Sequence, residues 1–348
     1  MFDIFELQKL LSENASPSGS ERTGVARVLS DLAAPFVDRL YLDAMGNLIA
    51  HKKGSPGGKR IMYAAHMDSI GFMINYIDRN GFLFFDNIGG NSPLQLVNTR
   101  VRFKNGCRGV IRMRDEAITT TKPADSYQFS DLFIDIGASS KQEALEYVYI
   151  GDTALYDGQT LKVAGNNIMT PYADDLVACI VLLLTMEQVG DCKNDLYFVF
   201  TVQEEVGRRG ARTAAYHIDP DVGFACDVNG EGDSPKKDRV PMAIYVGKGP
   251  AIKIKDASVI CTPQLNKMLE DLARSLDIDF QKEVLLVGGT DTSRIQSSRQ
   301  GVAATCVSIP AHNIHSPCEI YNIDDVKQAA KLLAAAAHAE YDSPVKQV

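Results

Sequence analysis

Two of the six histidines stand where chemistry could use them. His66 lies in "RIMYAAHMDSIGF", at the end of an apolar run and two residues before Asp68. Residues two apart on a strand face the same side, so the pair reads as a metal ligand with a carboxylate placed to orient it. His315 follows another apolar run in "VSIPAHNIHSPCEIYNIDDV", ahead of Glu319. Three acidic groups lie between the histidines in the chain. Asp174 and Asp175 precede the apolar "LVACIVLLL", Glu204 and Glu205 follow "LYFVFTVQ", and Asp227 ends the run in "VGFACD". One aspartate suffices to cap a helix. A second leaves a carboxylate for other work.

These groups share a position just beyond the C-terminal ends of apolar strands, the edge where open α/β sheets bind ligands. Several carboxylates converging there cannot all stay ionised without compensation, and a pair of divalent cations supplies it. Imidazole with carboxylate suits zinc, cobalt or manganese, and two histidines with several carboxylates match a dinuclear hydrolytic site. His51, His217 and His338 read as surface residues.

Positioning falls to alternating elements. Helical periodicity runs over 4–13, 20–34, 175–189, 263–276, 290–299 and 324–341, and strand-like runs over 38–51, 59–65, 196–202, 222–228, 251–255 and 303–309. Strand–helix–strand alternation predicts an α/β domain with helices covering a buried sheet. Residues 69–163 differ: "GFMINYIDRNGFLFFDNIGG", "TRVRFKNGCRGVIRM" and "GDTALYDGQTLKVAGN" are short strands joined by Asn-Gly and Asp-Gly turns. One helix is expected among them, "SSKQEALEYV", capped by Ser139 or Ser140. This predicts an inserted β-barrel (69–163) in a catalytic domain of 1–68 and 164–348.

Bulk properties agree. The 348 residues are 45% hydrophobic and 23% charged, with net charge −8. That balance argues against a nucleic-acid or anionic-membrane surface, and no apolar run approaches a ~20-residue membrane span. Seven scattered cysteines without a CxxC motif read as reduced thiols of a cytoplasmic protein.

The motifs "AAHMDSIGF", "ADD" before a helix, "TVQEEVGRRGA", "CDV", "GGTDTSRIQ" and "IHSPCEIYNIDDV" occur in the order found in the dinuclear-metal aminopeptidases of the glutamyl and deblocking type. This family forms tetrahedral particles, and some members were labelled endoglucanases. The insert matches too, in "DNIGGNSPLQLVNTRVRF" and "SDLFIDIGASSKQEA". The resemblance implies a metallopeptidase α/β domain with mixed sheet carrying a PDZ-like β-barrel that builds dimers and dodecamers. It implies two divalent ions, Zn²⁺ or Co²⁺: His66 and Asp227 on one, Glu205 and His315 on the other, Asp174 bridging. Glu204 would be the base acting on a metal-bridged water, with Asp68 orienting His66. The substrates would be peptides, cleaved at the N-terminus. The chain departs from the family pattern at Leu176, at His312 and Asn313, and at Arg208. Two other readings are a carboxypeptidase or acyl-amino-acid deacylase on the same fold, and a catalytically idle metal-binding assembly protein. Glu204 counts against the last, since a structural site has no use for a base.

Overall fold

The computed structural model describes residues 2–114, 126–230 and 244–341. Four continuous apolar runs form the centre of its 11-stranded sheet. Strands Ala303–His312, Val222–Gly230, Arg60–His66 and Asp195–Thr201 lie side by side and parallel. Both faces are buried, as such runs require. Tyr63 stacks on Phe198 and Phe224 at 5.0 and 5.4 Å on one face, under helices Ala173–Val189 and Ile323–Ala337. Met62, Ala64, Val199 and Ala225 pack on the other face against Ala211, Ala214, Ala215 and Ile295 from helices Arg209–Ile218 and Thr292–Gln296. Helix Ala173–Val189 is apolar nearly all round and is correspondingly buried. No helix among the described residues is long and apolar enough to cross a membrane.

Antiparallel strands widen the sheet. Leu48–Lys52 and Arg39–Leu42 lie beyond Asp195–Thr201, and Glu319–Asn322, Asn167–Thr170 and Leu161–Lys162 lie beyond Ala303–His312. From His66 the chain passes through Asp68–Ser69, which pairs with Ser16–Pro17, into a closed barrel of six strands. Its strands are Gly71–Ile77, Leu83–Ile88, Arg100–Phe103, Arg108–Met113, Leu132–Asp135 and Thr153–Tyr156. Phe72, Ile74, Phe85, Val101, Ile111 and Ile134 are buried in alternation along them. Ser140 caps the helix Lys141–Ala144 by accepting from Glu143 N–H. Leu161–Lys162 already pairs with the large sheet.

Several elements are shorter than periodicity predicts. The run 38–51 is two strands around a turn in which Asp43 accepts from the N–H groups of Gly46 and Asn47. The helix expected over 20–34 is a 3₁₀ turn, Glu21–Thr23, followed by Val25–Ala33. The one over 290–299 is only Thr292–Gln296. His51 is half-buried rather than a surface residue, whereas His338 is exposed as expected and still makes a bond. His51 stacks on Tyr197 at 4.3 Å and meets Asp195 at 2.9 Å, and His338 bonds the Val189 carbonyl at 2.9 Å.

Asn47 ties that hairpin turn to the chain that follows strand Asp195–Thr201. Its Oδ1 accepts from Val202 N–H at 3.0 Å, and its Nδ2 donates to Gly210 O at 3.1 Å. A Cβ on Gly210 would sit 2.2 Å from Asn47 Oδ1 and 2.5 Å from Val202 O. We expect Gly210→Ala to lose ~1–3 kcal/mol of stability by overpacking, read as a lower urea midpoint. An unchanged midpoint would mean that the clamp yields freely.

Candidate metal centre

The four parallel strands end at one edge, and the site is built there. His66 closes its strand, Asp227 sits near the end of the next, and Glu204 and Glu205 follow the third. His315 stands three residues past Ala303–His312. Asp174 and Asp175 open the long buried helix, across a peptide bond that is cis. The ligand atoms of His66, Asp174, Asp175 and Asp227 lie within 4.8 Å of one another, and so do those of Asp174, Glu205 and His315. Asp174 belongs to both groups. Its Oδ1 is 3.1 Å from His66 Nε2 and its Oδ2 is 3.2 Å from His315 Nε2. Glu205 Oε1 lies 3.3 Å from the same His315 nitrogen. The two neighbouring glutamates diverge, for Glu204 Oε1 faces Arg208 Nε at 3.9 Å.

Carboxylates outside these groups hold the backbone in place. Asp68 Oδ1 accepts from Glu204 N–H at 2.9 Å, and its Oδ2 accepts from Glu205 N–H at 3.3 Å and from the Ser18 hydroxyl at 2.6 Å. His66 Nδ1 meets the Asp68 main-chain carbonyl at 3.0 Å, whereas the Asp68 carboxylate is 3.6 Å away. The Asp68 carboxylate thus braces the glutamate turn while staying within ion-pair reach of His66, and the carbonyl of the same residue meets the ring. Glu21 accepts from Gln203 N–H at 3.0 Å. Glu319 accepts from Asp174 N–H and His315 N–H, both at 2.8 Å. Within the first group, Asp175 acts on the backbone too, its Oδ2 accepting from His66 N–H at 3.1 Å. Gln203 and His315 both adopt left-handed φ, 55° and 64°, so these turns need such support. We expect Asp68→Ala to lower kcat by roughly 10–100-fold, as loss of a supporting partner does. Unchanged kcat would show that the turn keeps its shape unaided.

The cluster is too acidic to be stable alone. Burial first, then Asp174, pushes the Asp227 carboxyl up to about 8. Burial and Asp227 raise Asp175 well above the usual range. Burial raises Glu205, and burial with Asp291, Asp227 and Glu205 raises Glu204 further. Burial works upward on Asp174 as well, but His315 and His66 outweigh it and hold that carboxyl low. Burial lowers both imidazoles, yet their carboxylate neighbours raise them, His315 to about 12. Asp174 Oδ1, Asp175 Oδ1, Glu205 Oε1 and Asp291 Oδ1 are buried without a hydrogen bond. Buried acceptors left in this state are costly. Cations at the two groups would satisfy those of Asp174, Asp175 and Glu205, and the donor set of carboxylate oxygen and imidazole nitrogen fits divalent transition metals.

The structure brings together His66, Asp174, Glu205, Asp227 and His315, with Glu204 and Asp68 beside them. It adds Asp175, Asp291, Glu319 and Glu21. The doubled aspartate hinted at Asp175. Asp291 lies in "GGTDTSRIQ", where nothing in the string marks the aspartate as buried; its Oδ2 accepts from Thr201 Oγ1 at 2.5 Å, and burial lifts it to about 6. Leu176 is wholly buried. Arg208 reaches Ser258 Oγ at 2.8 Å.

The chain as a whole is similar to known proteins. A model of the M42 glutamyl aminopeptidase family matches residues 46–332. The lysyl aminopeptidase of Pyrococcus furiosus is 34% identical, over 95% of this chain and 96% of its own length. An aminopeptidase structure from the archaeon Desulfurococcus kamchatkensis superposes with a TM-score of 0.92 at 38% identity, covering 96% of this chain and 94% of that one. The Pyrococcus horikoshii TET1 peptidase, described as able to assemble into a tetrahedron or a large octahedral shell, gives 0.85 at 30% identity, covering 97% and 99%. Fold, cluster and relatives converge: the chain belongs to the M42 glutamyl aminopeptidase family, and it is a peptidase.

Proposed function

We propose that this protein is a metal-dependent aminopeptidase that releases N-terminal residues from peptides, using two divalent ions, Zn²⁺ or Co²⁺. His66 and Asp227 would hold one, Glu205 and His315 the other, with Asp174 between. The observation that carries the reading is the Asp174 carboxylate, which turns one oxygen to each of two histidines. Bound there, the ions would polarise the scissile carbonyl and acidify the attacking water. Glu204 belongs to neither ligand group, and it would take the water's proton and hand it to the leaving amine. Burial raises its proton affinity above that of an ordinary glutamate. Asp68 fixes the backbone from which Glu204 projects. The substrate's free α-amine would find an anionic partner among these carboxylates, which selects N-termini.

Aminoacyl-anilides and their N-acetylated forms test this, with enzyme stripped by chelator and reloaded with Zn²⁺ or Co²⁺. Cleavage only of free-amine substrates, and only with metal, is the expected result. Cleavage that requires a free C-terminal carboxylate would point to a carboxypeptidase. No turnover on either with metal bound would leave the assembly protein.

We further propose that residues 69–163 form the assembly unit, joining copies into dimers and a dodecamer-sized particle. The barrel carries exposed Tyr147, Tyr149 and Ile150 in one stretch, at 49%, 59% and 63%, and exposed apolar runs of this kind favour partners. Tyr149→Asp with Ile150→Asp should give a smaller particle by light scattering; an unchanged large particle would refute the assignment. The described cysteines are all free thiols, which supports a reducing cytoplasm.

A further inference from the structure

Helices Arg209–Ile218 and Thr292–Gln296, with the turn that follows the second, enclose a cleft of about 450 Å³. It lies on the sheet face opposite the long buried helix. None of its lining residues belongs to the metal cluster. Arg212, Arg294 and Arg299 line it, together with Ser297, Ser298 and Tyr216. Arg299 is held in place: its Nε donates to Tyr216 O at 2.8 Å and lies 3.4 Å from Asp219 Oδ1, and its guanidinium sits 4.2 Å over the Tyr216 ring. Neither Arg212 nor Arg294 pairs with a carboxylate among the described residues. Ser298 is only 6% exposed, and its Oγ has no hydrogen-bond partner; Arg294 Nε is likewise buried and unbonded.

Buried donors without acceptors are rare, and each asks for a ligand. Here the orphaned groups are an N–H of a guanidinium and a hydroxyl, both on residues that line a cleft whose net charge is positive. We propose that the cleft binds a phosphate group, either inorganic phosphate or a small phosphate monoester. Guanidinium forks match phosphate oxygens bidentately and stay charged at all relevant pH. A phosphate dianion offers enough oxygens to engage Arg212, Arg294 and the Ser298 hydroxyl together. A single carboxylate would leave part of this donor set unpaired. The concave shape suits a small ligand better than a flat protein face.

The test is calorimetric titration of the metal-loaded enzyme with inorganic phosphate and with AMP, at ionic strength fixed by NaCl. Wild type is compared with Arg212→Ala, Arg294→Gln and Ser298→Ala. Saturable binding, weakened about tenfold or more in each arginine variant, is the expected result, given the strength of charged hydrogen bonds. Equal affinity for both probes identifies free phosphate as the occupant, and tighter AMP binding identifies an ester; either supports the site. Peptidase rate without phosphate checks that the variants fold, and the exposed Arg212 and the small Ser298 change keep the test alive if Arg294→Gln fails. No saturable binding at millimolar phosphate overturns the proposal. So does binding of equal strength in all variants, which would put phosphate on the metals. A smaller particle in the arginine variants with unchanged phosphate affinity also overturns it, because the cleft would then receive a neighbouring subunit.

Discussion

Glu204→Gln is expected to lower kcat by at least the ~10²–10⁴-fold that attends loss of a general acid–base, while fold and metal content stay as in the wild type. Glutamine keeps the shape of the side chain and loses its basicity. The Glu204 side chain turns towards Arg208 rather than His315, so its loss removes no ligand atom from either group. Glu205→Gln provides the contrast. Glu205 Oε1 is 3.3 Å from His315 Nε2 and bonded to no donor, so that variant should lose affinity for one ion, and excess Zn²⁺ or Co²⁺ should partly restore its rate. Metal stoichiometry and kcat of both variants, with and without added metal, decide the matter. Loss of metal in Glu204→Gln alongside full metal and low rate in Glu205→Gln would reverse the two roles.

Asp174→Ala should have the broadest effect of any single change at the site. Both histidines lose their shared carboxylate, at 3.1 and 3.2 Å, so neither group keeps its full donor set. Loss of both ions is expected, and with them several kcal/mol of transition-state stabilisation, which corresponds to a fall of about 10³-fold or more in kcat. Added metal should not rescue it as it rescues Glu205→Gln. Two ions per chain retained by Asp174→Ala, by elemental analysis of a variant with unchanged circular dichroism, would show that this carboxylate does not join the two groups.

Local pattern was sufficient for much of this. The apolar runs before His66, Glu204 and Asp227, and the one leading to His315, mark buried parallel strands because two-sided burial leaves no polar alternation. Asn-Gly and Asp-Gly turns mark the barrel because few residues tolerate the φ that tight hairpins need. Acidic and imidazole side chains at strand ends announce the site because such groups are not placed on a buried edge without a counter-charge. Periodicity did not show the break at Gly24, where a Cβ would come within 2.2 Å of Ser16 Oγ; a distant serine, not the helix's own residues, ends the pattern.

Tertiary structure alone decided how the groups meet. Strand order sets His66 between the strands that lead to Glu204 and carry Asp227, and order among strands is not written in any one strand. The positive φ of Gln203 and His315 aims the glutamates and the second imidazole, yet neither residue type signals such a conformation. Asp68 braces the amides of Glu204 and Glu205, and Glu319 those of Asp174 and His315. A carboxylate that binds metal and one that binds backbone N–H are the same residue in sequence. Only the donors that the fold brings to each distinguish them.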